Sequence, residues 1–268
     1  MPALCRFAAV AVTAMALGMT AEGQSSEPCT LGVHGYVGFG MNSYRTGGST
    51  PPFSGVVKAT FEQKLPNGNS IHGVTRTHQA RDSMGKTRAE FAQNCLRGED
   101  GQPQVVLSVS VFDPALKTSM SWQVNNDGVP KVVHLFHQNE VPAKEPSPEE
   151  RAEQRKLAQL RQPPKEEFRT ENLGTRTING VTAEGTRRVR TIPAGEEGNE
   201  LPLEVIDETW SSKQMGLMLM TIRDDPRQGR TTVEFEELNL AEPDPALFAA
   251  PAGYKVEEVH PNVVAGLQ

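Results

Sequence analysis

"QVVLSVSVFDPALKTSMSWQV", residues 104–124, contains the clearest indication of the fold class. Its first part alternates apolar and polar residues from Val105 to Val111, which is typical of a half-buried strand. "DPALK" then supplies turn residues, and "TSMSWQV" resumes an extended pattern. Because strands joined by so short a turn can pair only in opposite directions, the segment predicts two antiparallel neighbours in a sheet.

The same succession of strands and turns extends over residues 53–260. "PNGN" (66–69) and "NNDG" (125–128) are further turn signals between alternating segments. A parallel sheet would need long crossover helices, and the sequence has none between these segments. We therefore predict a mainly β fold, an antiparallel meander of about ten to twelve strands that forms a curved sheet or half-barrel.

A charged helical insertion is predicted at residues 139–170. Ser147 and Glu150 have the spacing of a capping box, and Pro148 stands at the first helical position. We expect one helix that ends near Gln162, before two prolines.

A hairpin is predicted around "AGEEGN", residues 194–199. If it is centred near Glu197, Arg190 faces Glu204 and Arg187 faces Asp207 on the neighbouring strand. Opposite charges at such positions stabilise a sheet.

The N-terminus has the anatomy of a secretory signal peptide. Arg6 precedes an apolar run at residues 7–19, and small residues follow at the expected cleavage site. We expect residues 1–23 to be removed, so that the mature protein is exported to the periplasm or the extracellular space and has no membrane span. Residues 24–52 are rich in Gly, Ser and Thr and suggest an arm, while 261–268 form a short tail.

Cleavage would remove Cys5 and leave two cysteines, Cys29 and Cys95. Two cysteines in an exported protein favour one disulfide, Cys29–Cys95. The alternative is a pair of free thiols.

"ARDSMGKT", residues 80–87, has the form of a phosphate-binding loop. However, a polar segment precedes it and no helix pattern follows, whereas a nucleotide site needs a buried strand and a helix there. A related passage, "RDDPRQGRTTVEF" (223–235), shares the Arg-Asp, the turn and the Gly-basic-Thr sequence without the motif. We therefore interpret both passages as hairpin tips and predict no nucleotide ligand.

Other chemistry is weakly represented. The chain has 27 basic and 33 acidic residues, a net charge of −6, which argues against nucleic-acid binding. His134 and His137 would point to opposite faces of a strand and belong to no recognisable zinc pattern, so no metal site is predicted. The carboxylates Glu204, Asp207 and Glu208 are close in sequence, but neighbouring arginines favour structural ion pairs. No catalytic residue and no cofactor are predicted.

One strand pattern is apolar on both faces. In "GLMLMTI" (216–222), leucines alternate with Met218 and Met220, although an antiparallel sheet usually has one wet face. "MSWQV" shares this character through Met120 and Trp122. Either the insertion helix and the C-terminal tail cover the second face, or these four residues line a hydrophobic groove for a ligand.

Several passages resemble a group of uncharacterised exported bacterial proteins, among them "SVFDPALKT", "LGTRTINGVTAEGTR" and "EPDPALFAAPAGYKV". The "VFDPALK" turn between strands and the ending "LFAAPAGYKV" also resemble the periplasmic lipoprotein-localization-factor type of half-barrel. That resemblance implies a curved antiparallel sheet around a cavity for acyl chains. It brings no functional residue, and the insertion at 139–170 departs from it.

Three hypotheses for function follow. The first is an exported, non-catalytic binding module of the cell envelope for an apolar or lipidic ligand. The second is a structural or interaction protein of the envelope that acts on a protein partner through residues 139–170. The third is a hydrolase that uses Glu204 or Glu208 together with another acid in a cleft.

Overall fold

The computed structural model describes residues 51–138, 147–160 and 168–259. These residues form twelve strands, one α-helix and one 3₁₀ helix. The elements are β1 (Phe53–Lys64), β2 (Ser70–Arg81), β3 (Thr87–Arg97), β4 (Pro103–Asp113), β5 (Thr118–Val124), β6 (Val132–His137), α1 (Pro148–Leu160), β7 (Phe168–Ile178), β8 (Val181–Ile192), β9 (Leu203–Ser212), β10 (Leu217–Asp225), β11 (Gly229–Asn239), the 3₁₀ helix Pro245–Phe248, and β12 (Lys255–Val259). The predicted mainly β class and strand number are confirmed.

All twelve strands belong to one open sheet in the order β12-β6-β5-β4-β3-β2-β1-β11-β10-β9-β8-β7. The sheet consists of two antiparallel meanders, β1 to β6 and β7 to β11, which join where β1 pairs with β11. The chain between β6 and β7 therefore connects one side of the sheet to the opposite edge. What the sequence shows as an insertion is the link between the two meanders, and β7 begins at Phe168, inside the predicted insertion.

The last strand departs from the predicted antiparallel pattern. β12 pairs with β6 in parallel, with Val256 opposite Val133. Parallel pairing requires a long connection. Here the connection from β6 to β12 contains α1 and the whole second meander, and the segment after β11 returns the chain to the first meander.

The buried apolar residues form two main clusters. The first core lies mainly on β1 and β8 to β11, and the second on β2, β4, β5 and β6 beneath the 3₁₀ helix. The first core contains Phe53, Val57, Val181, Ala183, Trp210, Met215, Leu217, Leu219, Val233 and Phe235. The second contains Ala80, Val109, Val111, Trp122, Val133 and Phe248.

The strand register places Phe53, a first-core residue, on one face of the sheet and the second core on the opposite face. Ser54 pairs with Ala80, and Ala80 pairs with Arg88. Arg88 in turn pairs with Val111. Because paired residues share a face and successive residues alternate, Phe53 points away from Ala80 and Val111. The two meanders thus bury apolar residues on different sides, which the sequence pattern did not predict.

The hairpin between β8 and β9 has a register one residue away from the predicted one. Arg187 faces Glu208 and Arg190 faces Val205, so the predicted pairs with Asp207 and Glu204 were wrong. The loop decides this, because the side-chain amide of Asn199 donates to the carbonyl oxygens of Pro193 (2.8 Å) and Leu201 (2.8 Å). A slip of one residue exchanges every facing pair.

The predicted capping box is confirmed. The backbone N–H of Glu150 donates to Ser147 Oγ at 3.1 Å, and the Glu150 carboxylate accepts from the backbone N–H of Ser147 at 2.6 Å. The side chains of residues 148–158 are all exposed, so this part of α1 does not cover the sheet.

The predicted signal peptide and tail, and the predicted arm up to residue 50, lie outside the described residues. Cys95 lies on β3, but its predicted partner Cys29 also lies outside them, so the disulfide stays a prediction. No helix in the described part of the chain is long and apolar enough to cross a membrane.

Candidate functional site

A cleft of about 430 Å³ opens over β4, β5 and β6, at the end of the sheet where β4 turns into β5. This size is within the range of about 300–1,000 Å³ that is usual for small-molecule sites. The residues that line it are Lys86, Val111, Asp113, Leu116, Thr118, Met120, Leu135, His137 and Phe248. We call it the β4–β6 cleft.

The strand register arranges the cleft floor in rows. Val111 pairs with Met120, and Met120 pairs with Leu135, which makes one apolar row across three strands. Two residues further towards the sheet end, Asp113 pairs with Thr118 and Thr118 with His137, which makes a polar row. The floor therefore changes from apolar to polar along the strands.

Two residues towards the sheet interior, Val109 pairs with Trp122, and both side chains are buried. This row closes the inner end of the cleft with apolar surface. A ligand that enters from the sheet end would pass polar groups first and meet only apolar side chains further in.

An ion pair stands at the polar end. Lys86 Nζ lies 2.9 Å from Asp113 Oδ2. The hydrogen bond from Lys86, together with the backbone N–H donors of Leu116 and Ala115, holds the pKa of Asp113 below its usual range. Asp113 is therefore ionised at neutral pH and fixes both the turn and the lysine.

The outer wall is the 3₁₀ helix. Asp244 Oδ1 accepts from the backbone N–H of Ala246 at 2.9 Å, which caps its start. Phe248 at its end is buried in the second core and also lines the cleft. Arg88 holds this wall, because its Nη1 donates to the carbonyl oxygen of Leu247 at 3.1 Å.

Arg88 belongs to a buried polar group beneath the wall. Its Nη2 donates to Glu90 Oε1 at 2.6 Å, and its guanidinium carbon lies 5.5 Å from the centre of the Trp122 ring. Glu90 Oε2 accepts from the backbone N–H of His78 and also lies 2.9 Å from His78 Nδ1. The Arg88–Glu90–His78 group thus connects the wall to β2.

His78 and Glu90 shift each other's pKa. The hydrogen bond to Glu90 raises the pKa of His78, against the effect of burial. Burial alone would raise the pKa of Glu90, but His78 and Arg88 together hold it below the usual value. Glu90 therefore remains a carboxylate although it is only 7% exposed.

The structure separates the four predicted ligand residues. Met120 lines the cleft, and Trp122 is buried in the row behind it. Met218 and Met220 lie on β10, which five strands separate from β5 in the sheet order, and they pack against the first core. Arg176 contacts the sulfur of Met220, and its guanidinium carbon lies 3.9 Å from the centre of the Trp210 ring.

The sequence analysis considered two other cleft residues for different roles, His137 as a metal ligand and Lys86 as part of a phosphate-loop pattern. Leu135 lies beside Met120 across the predicted turn "NNDG", whereas only tertiary structure brings Phe248 there. The "VFDPALK" turn supplies Val111, Asp113 and Leu116.

Both passages predicted as hairpin tips are turns between paired strands. In the first, the backbone N–H of Lys86 donates to Asp82 Oδ1 at 2.7 Å. In the second, that of Arg227 donates to Asp225 Oδ1 at 3.0 Å. A strand rather than a helix follows each, so neither has the geometry of a phosphate loop.

Two of the three carboxylates that suggested a hydrolase are engaged in ion pairs. Glu208 lies 2.7 Å from Arg187, and Asp207 lies 3.0 Å from Arg223. Glu204 faces Thr191. These ion pairs connect neighbouring strands and have a structural role.

No family model and no curated protein sequence matches the chain. Among solved structures it is similar to the Pseudomonas aeruginosa MucA/MucB complex, with 13% identity and a TM-score of 0.32 over 79% of this chain and 59% of that one. A second is a β-barrel-like DUF1849 protein from Brucella abortus, with 10% identity and a TM-score of 0.27 over 72% of this chain and 98% of that one. A third is a putative outer membrane lipoprotein-sorting protein domain from Vibrio parahaemolyticus, with 12% identity and a TM-score of 0.20 over 71% of this chain and 85% of that one.

The chain spans about three fifths of the MucB chains that it matches. The loose resemblance expected from the sequence, to β-rich proteins of unknown function and to lipoprotein-sorting half-barrels, is present among these structures. What the β4–β6 cleft can bind follows from its own residues.

Proposed function

We propose that this chain is a non-catalytic binding module of the cell envelope, and that the β4–β6 cleft holds an amphiphile with one acyl chain. The observation that carries the proposal is the order of the rows in the cleft floor. The polar row ends at His137 and the apolar row contains Met120, with buried Trp122 behind it. Such a floor matches a molecule with a polar head and an apolar tail.

The predicted export signal and the absence of a catalytic signature in the sequence support the same proposal. Met120 suits this role because a flexible thioether adapts to chains of varied shape. The Lys86–Asp113 pair stands where the ligand head would lie, and it offers both a donor and an acceptor.

A chain-length series tests the proposal. Calorimetric titration with saturated fatty acids of increasing length should show a dissociation constant that falls about fourfold for each added CH₂, since each buried CH₂ contributes about 0.8 kcal/mol. The gain should stop when the cleft is full. An affinity that does not depend on chain length would exclude the acyl cleft.

A pair of variants localises the site. Met120→Asn should weaken binding at least about tenfold, because it places an amide in the apolar row. Met218→Asn is the matched control, since Met218 is also half-buried but packs against the first core. Equal effects of the two substitutions would place the ligand elsewhere.

A protein partner that binds α1 is the second candidate, because the described side chains of this helix are exposed, including the apolar Leu157. The substitution Leu157→Ser should abolish capture of such a partner and leave fatty-acid binding unchanged. Since α1 lies in the link between the two meanders, a substitution tests this better than a deletion.

A further inference from the structure

Two large apolar side chains protrude from the end of the sheet that carries the cleft. Met84 is 75% exposed and lies on the turn between β2 and β3. Leu116 is 70% exposed and lies on the turn between β4 and β5. Exposed apolar side chains are ordinary when they are scattered, but a group at one place marks an interaction site.

The two turns are in contact. The Lys86–Asp113 ion pair joins them, and a Cβ built on Gly85 would come 3.4 Å from Pro114 Cγ. The protruding side chains of Met84 and Leu116 therefore belong to one surface.

A third segment joins the same end. The backbone N–H of Ser83 donates to Glu242 Oε1 at 3.0 Å, and Leu240, two residues before Glu242, is also exposed. We call the surface formed by Met84, Leu116 and Leu240 the tip surface.

The tip surface is continuous with the mouth of the cleft. Leu116 belongs to both, and Lys86, two residues after Met84, lines the cleft and pairs with Asp113 of its floor. A molecule that leaves the cleft past its polar row therefore emerges beside the tip surface.

We propose that the tip surface docks on a lipid membrane, so that the β4–β6 cleft exchanges its acyl ligand directly with the bilayer. Three apolar side chains on turns cover far less than the roughly 800 Å² per partner that a stable protein interface needs. Shallow insertion into the headgroup boundary needs no such area, and a small apolar anchor gives weak, reversible membrane attachment. The proposal rests on the proposed function for the purpose of the contact.

Vesicle binding without ligand tests the contact itself. The full chain is sedimented with vesicles of phosphatidylethanolamine and phosphatidylglycerol, and its partition coefficient is measured. Met84→Ser should lower the coefficient about tenfold, the effect of removing one well-buried apolar side chain. Leu201→Ser is the matched control, since Leu201 is 76% exposed on the distant loop between β8 and β9, and it should change nothing.

A second readout connects docking to the cleft. Met84 does not line the cleft, so Met84→Ser should slow the transfer of a fatty acid between vesicles while the affinity for soluble fatty acid stays unchanged. Equal partition of wild type, Met84→Ser and Leu201→Ser would overturn the membrane contact. Self-association that depends on Met84 without vesicle binding would overturn it in favour of a second copy of the chain.

The two proposals fail separately. If fatty acids do not bind but vesicle partition depends on Met84, the cleft proposal is wrong and the tip surface stands. If fatty acids bind in the cleft and vesicle partition does not depend on Met84, only the membrane contact is wrong.

Discussion

The substitution Glu90→Gln should destabilise the fold strongly, because it removes one charge of a buried group. Glu90 is 7% exposed and accepts from Arg88 Nη2 at 2.6 Å and from the backbone N–H of His78 at 2.9 Å. Glutamine keeps the shape and one acceptor oxygen, but it leaves the guanidinium without a counter-charge. The expected loss therefore comes from charge rather than from packing.

Its size can be estimated from the burial of the partner. Removing one member of a buried ion pair typically costs about 3–5 kcal/mol, because the other charge is left uncompensated. The Arg88 side chain is 16% exposed and keeps its bond to the Leu247 carbonyl. We therefore expect the lower end, a decrease of about 3 kcal/mol in the free energy of unfolding.

The free energies of unfolding are measured by urea denaturation at neutral pH. Four proteins are compared: the wild type, Glu90→Gln, Arg88→Met and the double variant. In the double variant both charges are absent, so it should be more stable than the sum of the single effects predicts, by about 1–3 kcal/mol. Arg88→Met alone should cost less than Glu90→Gln, because His78 remains beside the carboxylate.

Two results would contradict a stabilising Arg88–Glu90 charge pair. One is a Glu90→Gln variant within about 0.5 kcal/mol of the wild type, the usual range for a surface position. The other is strict additivity in the double variant, which would mean that the two charges do not stabilise each other.

Three further outcomes are expected. Gly229→Ala should lower the free energy of unfolding by about 2–4 kcal/mol, because Gly229 has φ +93° and a Cβ there would lie 2.5 Å from the Glu62 carbonyl oxygen. Gly68→Ala is the control: Gly68 has φ +82° in open space, so its replacement should cost only about 1 kcal/mol. Lys86→Ala should lower the free energy of unfolding by at most about 1 kcal/mol. ATP should not shift the melting temperature of the wild type or of Lys86→Ala, and a shift in the wild type alone would restore the nucleotide hypothesis. His78→Gln should lower the free energy of unfolding most below about pH 6.5, where His78 is protonated in both the folded and the unfolded chain. The raised pKa of His78 in the folded protein means that its protonated form stabilises the fold, so the difference from wild type should shrink as the pH rises through that pKa. A difference that grows with pH would contradict the assignment.

Turn chemistry and strand alternation were readable from the sequence because both are local. Gly85 and Gly229 have positive φ at the two predicted hairpin tips, and Asp82 accepts from a turn amide as expected. The "VFDPALK" turn likewise joins two antiparallel strands whose register follows from its length.

Part of the candidate site was also readable. Met120 was selected because its strand is apolar on both faces, and it lines the cleft. Met218 and Met220 have the same local pattern, but they pack against the other core. A local pattern reports that a side chain is buried and does not report which segment buries it.

The strands, the turns, the helix start and the antiparallel hairpins could be predicted from the sequence, since each depends on neighbours within a few residues. Three features depend on long-range contacts or loop geometry instead: β1 pairs with β11, β12 returns in parallel to β6, and the β8–β9 register places Arg187 opposite Glu208. Tertiary structure also sets the site, because Phe248 comes from a segment distant in the chain, whereas Leu135 lies on the strand that follows β5 after a predicted turn. Partner choice among similar strands is a property of the whole sheet, since many strands of the chain have a similar alternating pattern.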